Sequence, residues 1–236
     1  MYKQKEKIGE ATLYLANAIE LMPTLKNSDL VIYDPPFELW KHLKLNHAKT
    51  TIAFCSPKSR HDVENCLGKP RTELVWHFAD GRWVSNNLPR ITHDYIYIYG
   101  KTSTADVGEY QYCQPQNKGL SAIGKDVLGK RYYKPKARKH LNSVQILPRN
   151  MSNPLGSWGK PCNLIKTLIE WIKPQSVLDP FMGSGTTLEA CYQLGIKSVG
   201  IEIEQKNFDI ACKRLEKLNE QLPLLNKNFL YQTKLL

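Results

Sequence analysis

Two short apolar segments of the sequence each end on an Asp-Pro pair, and this feature constrains the fold most. Residues 29–33 run directly into Asp34-Pro35-Pro36-Phe37, and residues 176–178 run into Asp179-Pro180-Phe181-Met182-Gly183-Ser184-Gly185. Uninterrupted apolar runs of this length are typical of strands buried on both faces of a parallel sheet. Open α/β sheets bind their ligands beyond the carboxyl ends of such strands, which is where both motifs fall. The sequence therefore predicts an α/β enzyme.

The rest of the chain alternates apolar runs with amphipathic stretches, which is the pattern of a doubly wound, mostly parallel sheet. The apolar runs predict strands over residues 12–15, 29–33, 50–55, 73–78, 95–99, 176–178 and 198–203. The amphipathic stretches predict helices over residues 17–25, 59–67, 161–172, 185–194 and 205–222. Pro223 follows the last of these helices and is expected to end it. A length of 236 residues suits one such domain with an inserted segment.

Residues 101–150 have no sustained periodicity and hold most of the excess positive charge. The whole chain carries a net charge of +11, and the stretch from Lys118 to Arg149 contains nine basic residues and one acidic residue. A concentrated basic patch in a protein of this kind indicates a polyanionic partner, most often nucleic acid. We therefore expect this zone to contact DNA or RNA.

The six cysteines are scattered, without a CxxC pair or zinc-ligand spacing. This usage predicts a reducing compartment and no metal site. The sequence shows neither the apolar core of a signal peptide at its N-terminus nor an apolar run of membrane-spanning length. We expect a cytoplasmic protein that does not bind membranes.

The glycine motif predicts a cofactor site. A strand, an aspartate and then Gly183-Ser184-Gly185 opening a helix let the backbone approach an anionic ligand closely. No lysine follows the glycines as in a phosphate-binding Walker loop, and Leu188 stands where a dinucleotide fingerprint needs a third glycine. Glu202, at the end of the next strand, is placed to accept hydrogen bonds from ribose hydroxyls. These features favour an adenosine-containing cofactor that lacks a pyrophosphate.

The Asp34-Pro35-Pro36-Phe37 motif predicts a site for a planar base. Prolines donate no backbone hydrogen bond, so neighbouring carbonyls are available as acceptors beside the Asp34 carboxylate. Acceptors next to an aromatic ring, here Phe37, suit the exocyclic amino group of a nucleobase. Trp76 is either a further wall of this site or a core residue.

These motifs resemble those of the S-adenosylmethionine-dependent DNA amino-methyltransferases, the adenine-N6/cytosine-N4 family. Their order is that of the circularly permuted β class, in which the catalytic motif comes first and the cofactor motif last. Further similarities are Trp158-Gly159-Lys160-Pro161, which resembles the family's HPTxKP helix entry, and His93-Asp94-Tyr95, which resembles a late catalytic strand. The resemblance covers nearly the whole chain and implies a permuted, Rossmann-like methyltransferase sheet with an inserted target-recognition segment.

The resemblance also implies a role for each part of the chain. Residues 1–100 would form the catalytic half of the domain, residues 101–150 the target-recognition segment and residues 151–236 the cofactor-binding half. The catalytic residues would be Asp34, Pro35, Pro36 and Phe37. The residues that bind S-adenosylmethionine would be Asn17, Lys160, Asp179, Phe181, Gly183, Ser184, Gly185, Thr186 and Glu202. In particular, Lys160 would hold the cofactor's carboxylate, and Asn17, where the family usually has aspartate, would lie near its adenine.

The implied substrate is double-stranded DNA with a flipped-out base. Lys130, Arg131, Lys134, Lys136, Arg138 and Lys139 would bind the DNA, lysines at phosphates and arginines at guanine edges. A partner restriction endonuclease and a homodimer are also compatible with the family. No cysteine lies in a nucleophile context, which agrees with methylation of an amine rather than a ring carbon.

Three alternatives remain open. Cytosine-N4 enzymes of this family more often begin the catalytic motif with serine, so Asp34 favours adenine over cytosine. An RNA amino-methyltransferase would use the same motif, although the permuted order favours DNA. A catalytically silent nucleic-acid-binding relative would be expected to lack Asp34 or the glycine turn, and both are present.

Overall fold

The structure is a computed structural model, and it describes residues 2–43, 48–82, 90–101, 141, 143–148 and 159–232. The strands in this part of the chain are β1 Tyr2–Ile8, β2 Ala11–Ala16, β3 Ser28–Tyr33, β4 Ala48–Cys55, β5 Thr72–Arg82, β6 Ile91–Gly100, β7 Val144–Ile146, β8 Ser176–Asp179 and β9 Lys197–Glu202. The α-helices are α1 Ala18–Leu21, α2 Arg60–Leu67, α3 Cys162–Ile172, α4 Thr186–Gln193 and α5 Gln205–Gln232, and two 3₁₀ turns span Met22–Thr24 and Phe37–His42.

The strands of the described residues form one sheet in the order β1-β2-β9-β8-β3-β4-β6-β5-β7. The five strands from β2 to β4 in this order are parallel to one another, and antiparallel pairs extend the sheet on both sides. The expected mostly parallel α/β sheet is therefore confirmed. Its central neighbours β3 and β8 come from opposite halves of the chain, with Val31 opposite Leu178.

Helices cover both faces of the sheet, as expected for a doubly wound fold. On one face, α3 packs against alternate residues of the central strands, such as Leu30, Ile32 and Ile52. On the other face, α1, α2 and the two 3₁₀ turns cover the intervening residues, such as Val31 and Tyr33. Because successive strand residues point to opposite faces, two buried faces require the uninterrupted apolar runs seen in the sequence.

Asp29 fixes the register of three central strands at their amino ends. Its carboxylate accepts a hydrogen bond from the Lys49 ammonium at 2.6 Å and one from the Gln175 backbone N–H at 2.9 Å. Its own backbone N–H donates to the Ser176 hydroxyl at 3.1 Å. The hydrogen bond from Lys49 is the main reason why the pKa of Asp29 lies below its usual value. These contacts join β3, β4 and the start of β8 at the sheet edge opposite the two Asp-Pro motifs.

Three elements differ from the sequence-based expectation. β1 was not expected, since its lysine-rich sequence lacks an apolar run; it is an edge strand that pairs only with β2 among the described residues. β7 falls within the zone expected to recognise the target, yet it pairs with β5. The expectation that Pro223 ends the last helix is wrong, because α5 continues to Gln232. A proline inside a helix removes one hydrogen bond and its ring crowds the carbonyl four residues earlier, but α5 continues for nine residues beyond Pro223 despite this cost.

The described residues include no helix that is both long enough and apolar enough to cross a membrane.

Candidate cofactor and amine-binding site

The two Asp-Pro motifs lie side by side at the carboxyl edge of the sheet. Asp34 follows β3 and Asp179 ends β8, and these two strands are hydrogen-bonded neighbours. A cavity opens at this point and is lined by residues of both motifs and of the α3 entry, including Asp34, Lys160, Asp179, Phe181, Gly183 and Thr187. The structure therefore brings together the two groups of residues that the sequence indicated separately.

The glycine turn that follows β8 has a backbone that only glycine adopts readily. Gly183 and Gly185 have φ angles of 52° and 81°. A Cβ atom added to Gly185 would lie 2.9 Å from the Cβ of Ala211, so α5 also packs closely against this point. The Met182 N–H donates to the Ile201 carbonyl at 3.0 Å, which holds the turn against β9. The turn leads directly into α4 and directs that helix's amino end towards the cavity.

Asp179 is a buried carboxylate at the base of the cavity. It accepts hydrogen bonds from the Phe181 backbone N–H at 3.0 Å and from the Thr187 hydroxyl. Burial outweighs these bonds and, together with the nearby Asp34 and Glu202 charges, raises the pKa of Asp179 to about 7. A cationic ligand group would reverse this effect by favouring the ionised form.

Glu202 is held rigidly at the end of β9. Its Oε1 accepts the backbone N–H groups of Ile203 at 2.9 Å and Glu204 at 2.8 Å, and the Gly183 N–H also bonds this carboxylate. Burial nevertheless raises the pKa of Glu202 above its usual value. The side chain thus joins the glycine turn to the neighbouring strand.

Asn17 lies at the same edge, because β2 pairs in parallel with β9 and places Leu15 opposite Glu202. Its side-chain oxygen caps α1 by accepting the Ile19 N–H at 3.0 Å, and its amide donates to Glu20 at 3.1 Å. Close to the expected adenine position, Ile19 and Ile203 are 40% and 59% exposed. These two apolar residues were not predicted, because an isoleucine within a helix, like Ile19, or directly after a strand, like Ile203, normally indicates the core.

Asp34 forms an ion pair with Lys160 across the cavity. The Lys160 ammonium lies 2.5 Å from Oδ2 of Asp34, and the two side chains are 14% and 38% exposed. The ammonium also lies over the rings of Phe54 and Trp76, at 5.0 and 5.9 Å from their centres. Lys160 was expected at the cofactor's carboxylate; it lines the expected cavity, but its contact in the structure is with Asp34.

The remainder of the catalytic motif forms a tight turn. Pro35 is buried, and the Pro36 carbonyl accepts the Leu39 N–H at 3.0 Å within the 3₁₀ turn. The expectation that both proline-side carbonyls are available is therefore wrong for Pro36. The Phe37 ring lies outside the described part of the structure, as do the predicted DNA-binding residues Lys130, Arg131, Lys134, Lys136, Arg138 and Lys139.

Three further side chains support the site. Thr187 bonds Asp179, and Arg214 of α5 donates to the Thr186 hydroxyl at 3.0 Å while pairing with Glu189 at 3.3 Å. Trp76, which was expected either to line the site or to lie in the core, is 2% exposed and donates to the Leu147 carbonyl at 2.9 Å. Thr187 adjoins the glycine motif in sequence, whereas only the tertiary fold brings Arg214 to it.

The fold and this edge are those of an α/β enzyme whose cofactor cavity lies beside the Asp34 carboxylate. Comparison with known families makes the assignment more specific, since the profile of the N6/N4 DNA methylase family matches residues 38–213. The chain belongs to this family of DNA methylases.

Individual relatives resemble the chain over very different lengths. The type II methyltransferase M.MjaII of Methanocaldococcus jannaschii is 47% identical over 57 residues, a segment that covers 22% of this chain and 11% of that protein. The type II methyltransferase M.HpaI of Haemophilus parainfluenzae is 25% identical over 244 residues, covering 86% of this chain and 74% of M.HpaI.

Two solved structures share the fold at low sequence identity. The complex of M1.HpyAVI with SAM has a TM-score of 0.58 and 22% identity, and the match covers 87% of this chain and 98% of that one. The cytosine-N4-specific PvuII DNA methyltransferase has a TM-score of 0.63 and 12% identity, over 94% and 96% of the two chains. At these identities the likeness establishes the architecture alone.

Proposed function

We propose that the chain transfers a methyl group from S-adenosylmethionine to the exocyclic N6 amine of adenine in double-stranded DNA. The observation that carries this proposal is the meeting of Asp34 with Asp179 and the glycine turn in one cavity. An amine acceptor and a cofactor cradle must share a cavity if a methyl group is to pass directly between two bound molecules. Membership of the DNA methylase family supports DNA as the polymer.

The charges of the cavity suit S-adenosylmethionine. Asp179 is a buried carboxylate without a cationic partner among the contacts described for it, and the cofactor's ammonium is the complementary group. The fixed carboxylate of Glu202 suits the two ribose hydroxyls. Ile19 and Ile203 offer apolar surface to the adenine, with Asn17 beside them. Gly183, Ser184, Gly185, Thr186 and Phe181 complete the cradle around the methionyl part.

The chain's own residues would act by orientation and electrostatics. The bound cofactor supplies a methyl group on a positively charged sulfur, which is already electrophilic. Asp34 and the Pro35 carbonyl would each accept a hydrogen bond from one N–H of the target amine. These two hydrogen bonds would draw the amine nitrogen towards a tetrahedral geometry. The same two acceptors stabilise the positive charge that develops on that nitrogen. The Pro36 carbonyl is used by the turn, so this task falls to Pro35.

The base must leave the duplex to reach this cavity, with Phe37 as the proposed stacking face. We assign the basic residues Lys130, Arg131, Lys134, Lys136, Arg138 and Lys139 to DNA binding and residues 101–150 to target recognition. The motif order supports a permuted, β-class arrangement with catalytic residues in 1–100 and cofactor residues in 151–236. A cognate restriction endonuclease is proposed because the relatives are named type II methyltransferases, and a homodimer is proposed on the family resemblance alone.

Adenine is preferred to cytosine on the identity of one residue. Asp34 begins the catalytic motif, whereas the cytosine-N4 enzymes of the family more often begin it with serine. The structural similarity to a cytosine-N4-specific enzyme does not weaken this preference, since it reflects a shared architecture at 12% identity.

Sequencing that detects modified bases tests the proposal directly. DNA from cells that express the chain is expected to carry N6-methyladenine at one short recurring sequence, which also identifies the recognition site. If N4-methylcytosine is found at that sequence instead, the target base is cytosine and not adenine. Unmodified DNA together with labelled methyl groups in RNA would overturn the assignment to DNA.

The Asp34→Ala variant tests the mechanism. We expect methyl transfer to fall by at least about a hundredfold, because an electrostatic acceptor of the transition state is lost. Cofactor binding should be retained, since a partly exposed ion pair adds little to the stability of the site. Transfer at the wild-type rate by this variant would exclude Asp34 as the acceptor.

A further inference from the structure

Lys160 occupies the position at which Asp34 would receive the target amine. Its ammonium lies 2.5 Å from Oδ2 of Asp34, within the reach of a short charge-assisted hydrogen bond. An ammonium and an exocyclic amine are both nitrogen donors, so they compete for the same carboxylate oxygen. A base that enters the cavity must therefore displace Lys160 before Asp34 can hold its amine.

The surroundings of Lys160 allow such a displacement. The ammonium lies over the rings of Phe54 and Trp76, and these rings contribute no hydrogen-bond acceptor. The ion pair is partly exposed on the Asp34 side, and pairs of this kind are weak enough for another anion to replace one partner. The flexible four-carbon stem of a lysine lets the ammonium move several ångströms without a backbone change.

The same cavity has a place for the replacing anion. Lys160 and Asp34 line it together with Gly183, Ser184 and Thr186 at the amino end of α4, which favours negative charge. The proposed cofactor carries a carboxylate on its methionyl part, and this part belongs in the same cradle. A carboxylate bound there would draw the Lys160 ammonium away from Asp34.

We propose that Lys160 is a positioning residue that exchanges Asp34 for the cofactor's carboxylate, so that cofactor binding uncovers Asp34 for the target amine. This inference rests on the proposed function and adds an order of events to it. Without cofactor, the amine acceptor is covered by an internal cation. With cofactor, Lys160 is held elsewhere and Asp34 is available. By thermodynamic linkage, target DNA must raise cofactor affinity by the same factor.

The test measures the binding of an unmethylated fluorescent duplex that contains the recognition sequence identified by sequencing. Anisotropy titrations are made without ligand, with saturating S-adenosylhomocysteine, and with saturating S-adenosyl-3-thiopropylamine, which lacks only the carboxylate. Neither ligand has a methyl group to transfer, so binding is read without turnover. For the wild-type chain we expect S-adenosylhomocysteine to tighten duplex binding by about fivefold, the lower range of typical coupling. The decarboxylated ligand should leave it unchanged.

Two matched substitutions identify the lysine responsible. Lys160→Met keeps an apolar stem over Phe54 and Trp76 and removes the ammonium. Without ligand, this variant should bind the duplex about fivefold more tightly than the wild type does. Added S-adenosylhomocysteine should then have no further effect on its duplex binding. Lys49→Met removes the ammonium of the Asp29 pair at the opposite sheet edge and should retain the wild-type coupling. Lys160→Leu, which carries no hydrogen-bond donor on its side chain, repeats the test should the methionine variant fail to fold.

Several outcomes would overturn the exchange. One is full wild-type coupling in the Lys160 variants, and another is equal coupling by the two ligands in the wild-type chain. A third is weaker S-adenosylhomocysteine binding by the Lys160 variants with no change in ligand-free duplex binding, which would assign the lysine to the cofactor alone. If the wild-type chain methylates DNA but S-adenosylhomocysteine does not change its duplex binding, only the exchange is wrong. If the chain neither methylates DNA nor binds S-adenosylhomocysteine, the proposed function itself is wrong.

Discussion

At the scale of single residues, the two edges of the sheet carry carboxylates in opposite environments. Asp29, at the amino edge of the sheet, has a lysine and two polar neighbours, and its pKa lies below the usual range. Asp179, at the carboxyl edge, is buried, and its pKa is raised to about 7. Position in the sheet, rather than residue type, determines which carboxylate stabilises the fold and which remains available for a ligand.

The raised pKa of Asp179 predicts a pH-dependent cost to stability. The folded state binds a proton at this site up to about pH 7, whereas an aspartate in the unfolded chain loses it near 3.8. Stability is therefore lost as the pH rises between these two values. The Asp179→Asn variant keeps the shape and cannot ionise, so without cofactor it should melt roughly 5 °C higher than the wild type at pH 8.

The advantage of Asp179→Asn should shrink when melting is measured at pH 5, where the wild-type carboxyl is largely protonated. Cofactor affinity of the variant should fall by about tenfold or more, because a charge-assisted hydrogen bond is lost. A variant less stable than the wild type at pH 8 would show that local hydrogen bonds fully compensate the buried charge.

At the scale of elements, the glycine turn between β8 and α4 is the part of the site with the least tolerance. It must bend sharply, hold β9 through the Met182 N–H and admit α5 at the distance set by Ala211. Gly185 and Gly195 both have positive φ angles, but a Cβ at Gly195 would meet nothing within 4 Å. A side chain at Gly195 would therefore add only backbone strain, whereas a side chain at Gly185 would add backbone strain and a close contact with α5.

Alanine substitutions at these two glycines test that separation. Gly195→Ala should lower the free energy of unfolding by about 1–2 kcal/mol, the cost of a left-handed conformation. Gly185→Ala should lower it by about 1–3 kcal/mol more, because α5 must also move away from the added methyl group. Urea denaturation measures both values. Only Gly185→Ala should weaken cofactor binding, and equal effects of the two substitutions would contradict this assignment.

At the scale of the whole molecule, charge and catalysis are separated along the chain. The net charge of +11 is concentrated in the segment between β6 and β7. The cofactor-site carboxylates Asp179 and Glu202 end the central strands β8 and β9. We propose that a long-range positive field from this segment attracts the polyanionic DNA.

Salt dependence tests whether this segment is the DNA contact. Replacing Lys134, Lys136 and Lys139 by glutamine should reduce the slope of log affinity against log salt by about two to three, as expected for three lost phosphate contacts. Replacing Lys3, Lys5 and Lys7 of β1, the strand at one end of the sheet order, by glutamine changes the net charge equally. Filter binding over a series of salt concentrations measures both. If the two triple variants show equal slopes of log affinity against log salt, the basic segment does not contact the DNA phosphates.

The sequence by itself determined the sheet type and the site motifs. Apolar runs in β3, β4 and β8 predicted burial on both faces, and the glycines at 183 and 185 predicted a close backbone turn, so both features are local and visible in one segment. The expected strands within β2 to β6, β8 and β9 are confirmed for the same reason. β1 was missed because an edge strand needs no apolar run when one face of it remains in water.

Only the tertiary structure decided which residues meet. The pairing of β3 with β8 places Asp34 beside Asp179, although nearly 150 residues separate them in sequence. The ion pair between Lys160 and Asp34, the exposure of Ile203 and the contact of Arg214 with Thr186 likewise depend on side chains from distant segments. The physical reason is that the local hydrophobic pattern predicts whether a residue is buried. The order of the strands in the sheet determines which residues are neighbours, and this order cannot be predicted from any single segment. The Asp-Pro motifs were thus readable as two ligand sites, and the sheet joined them into one.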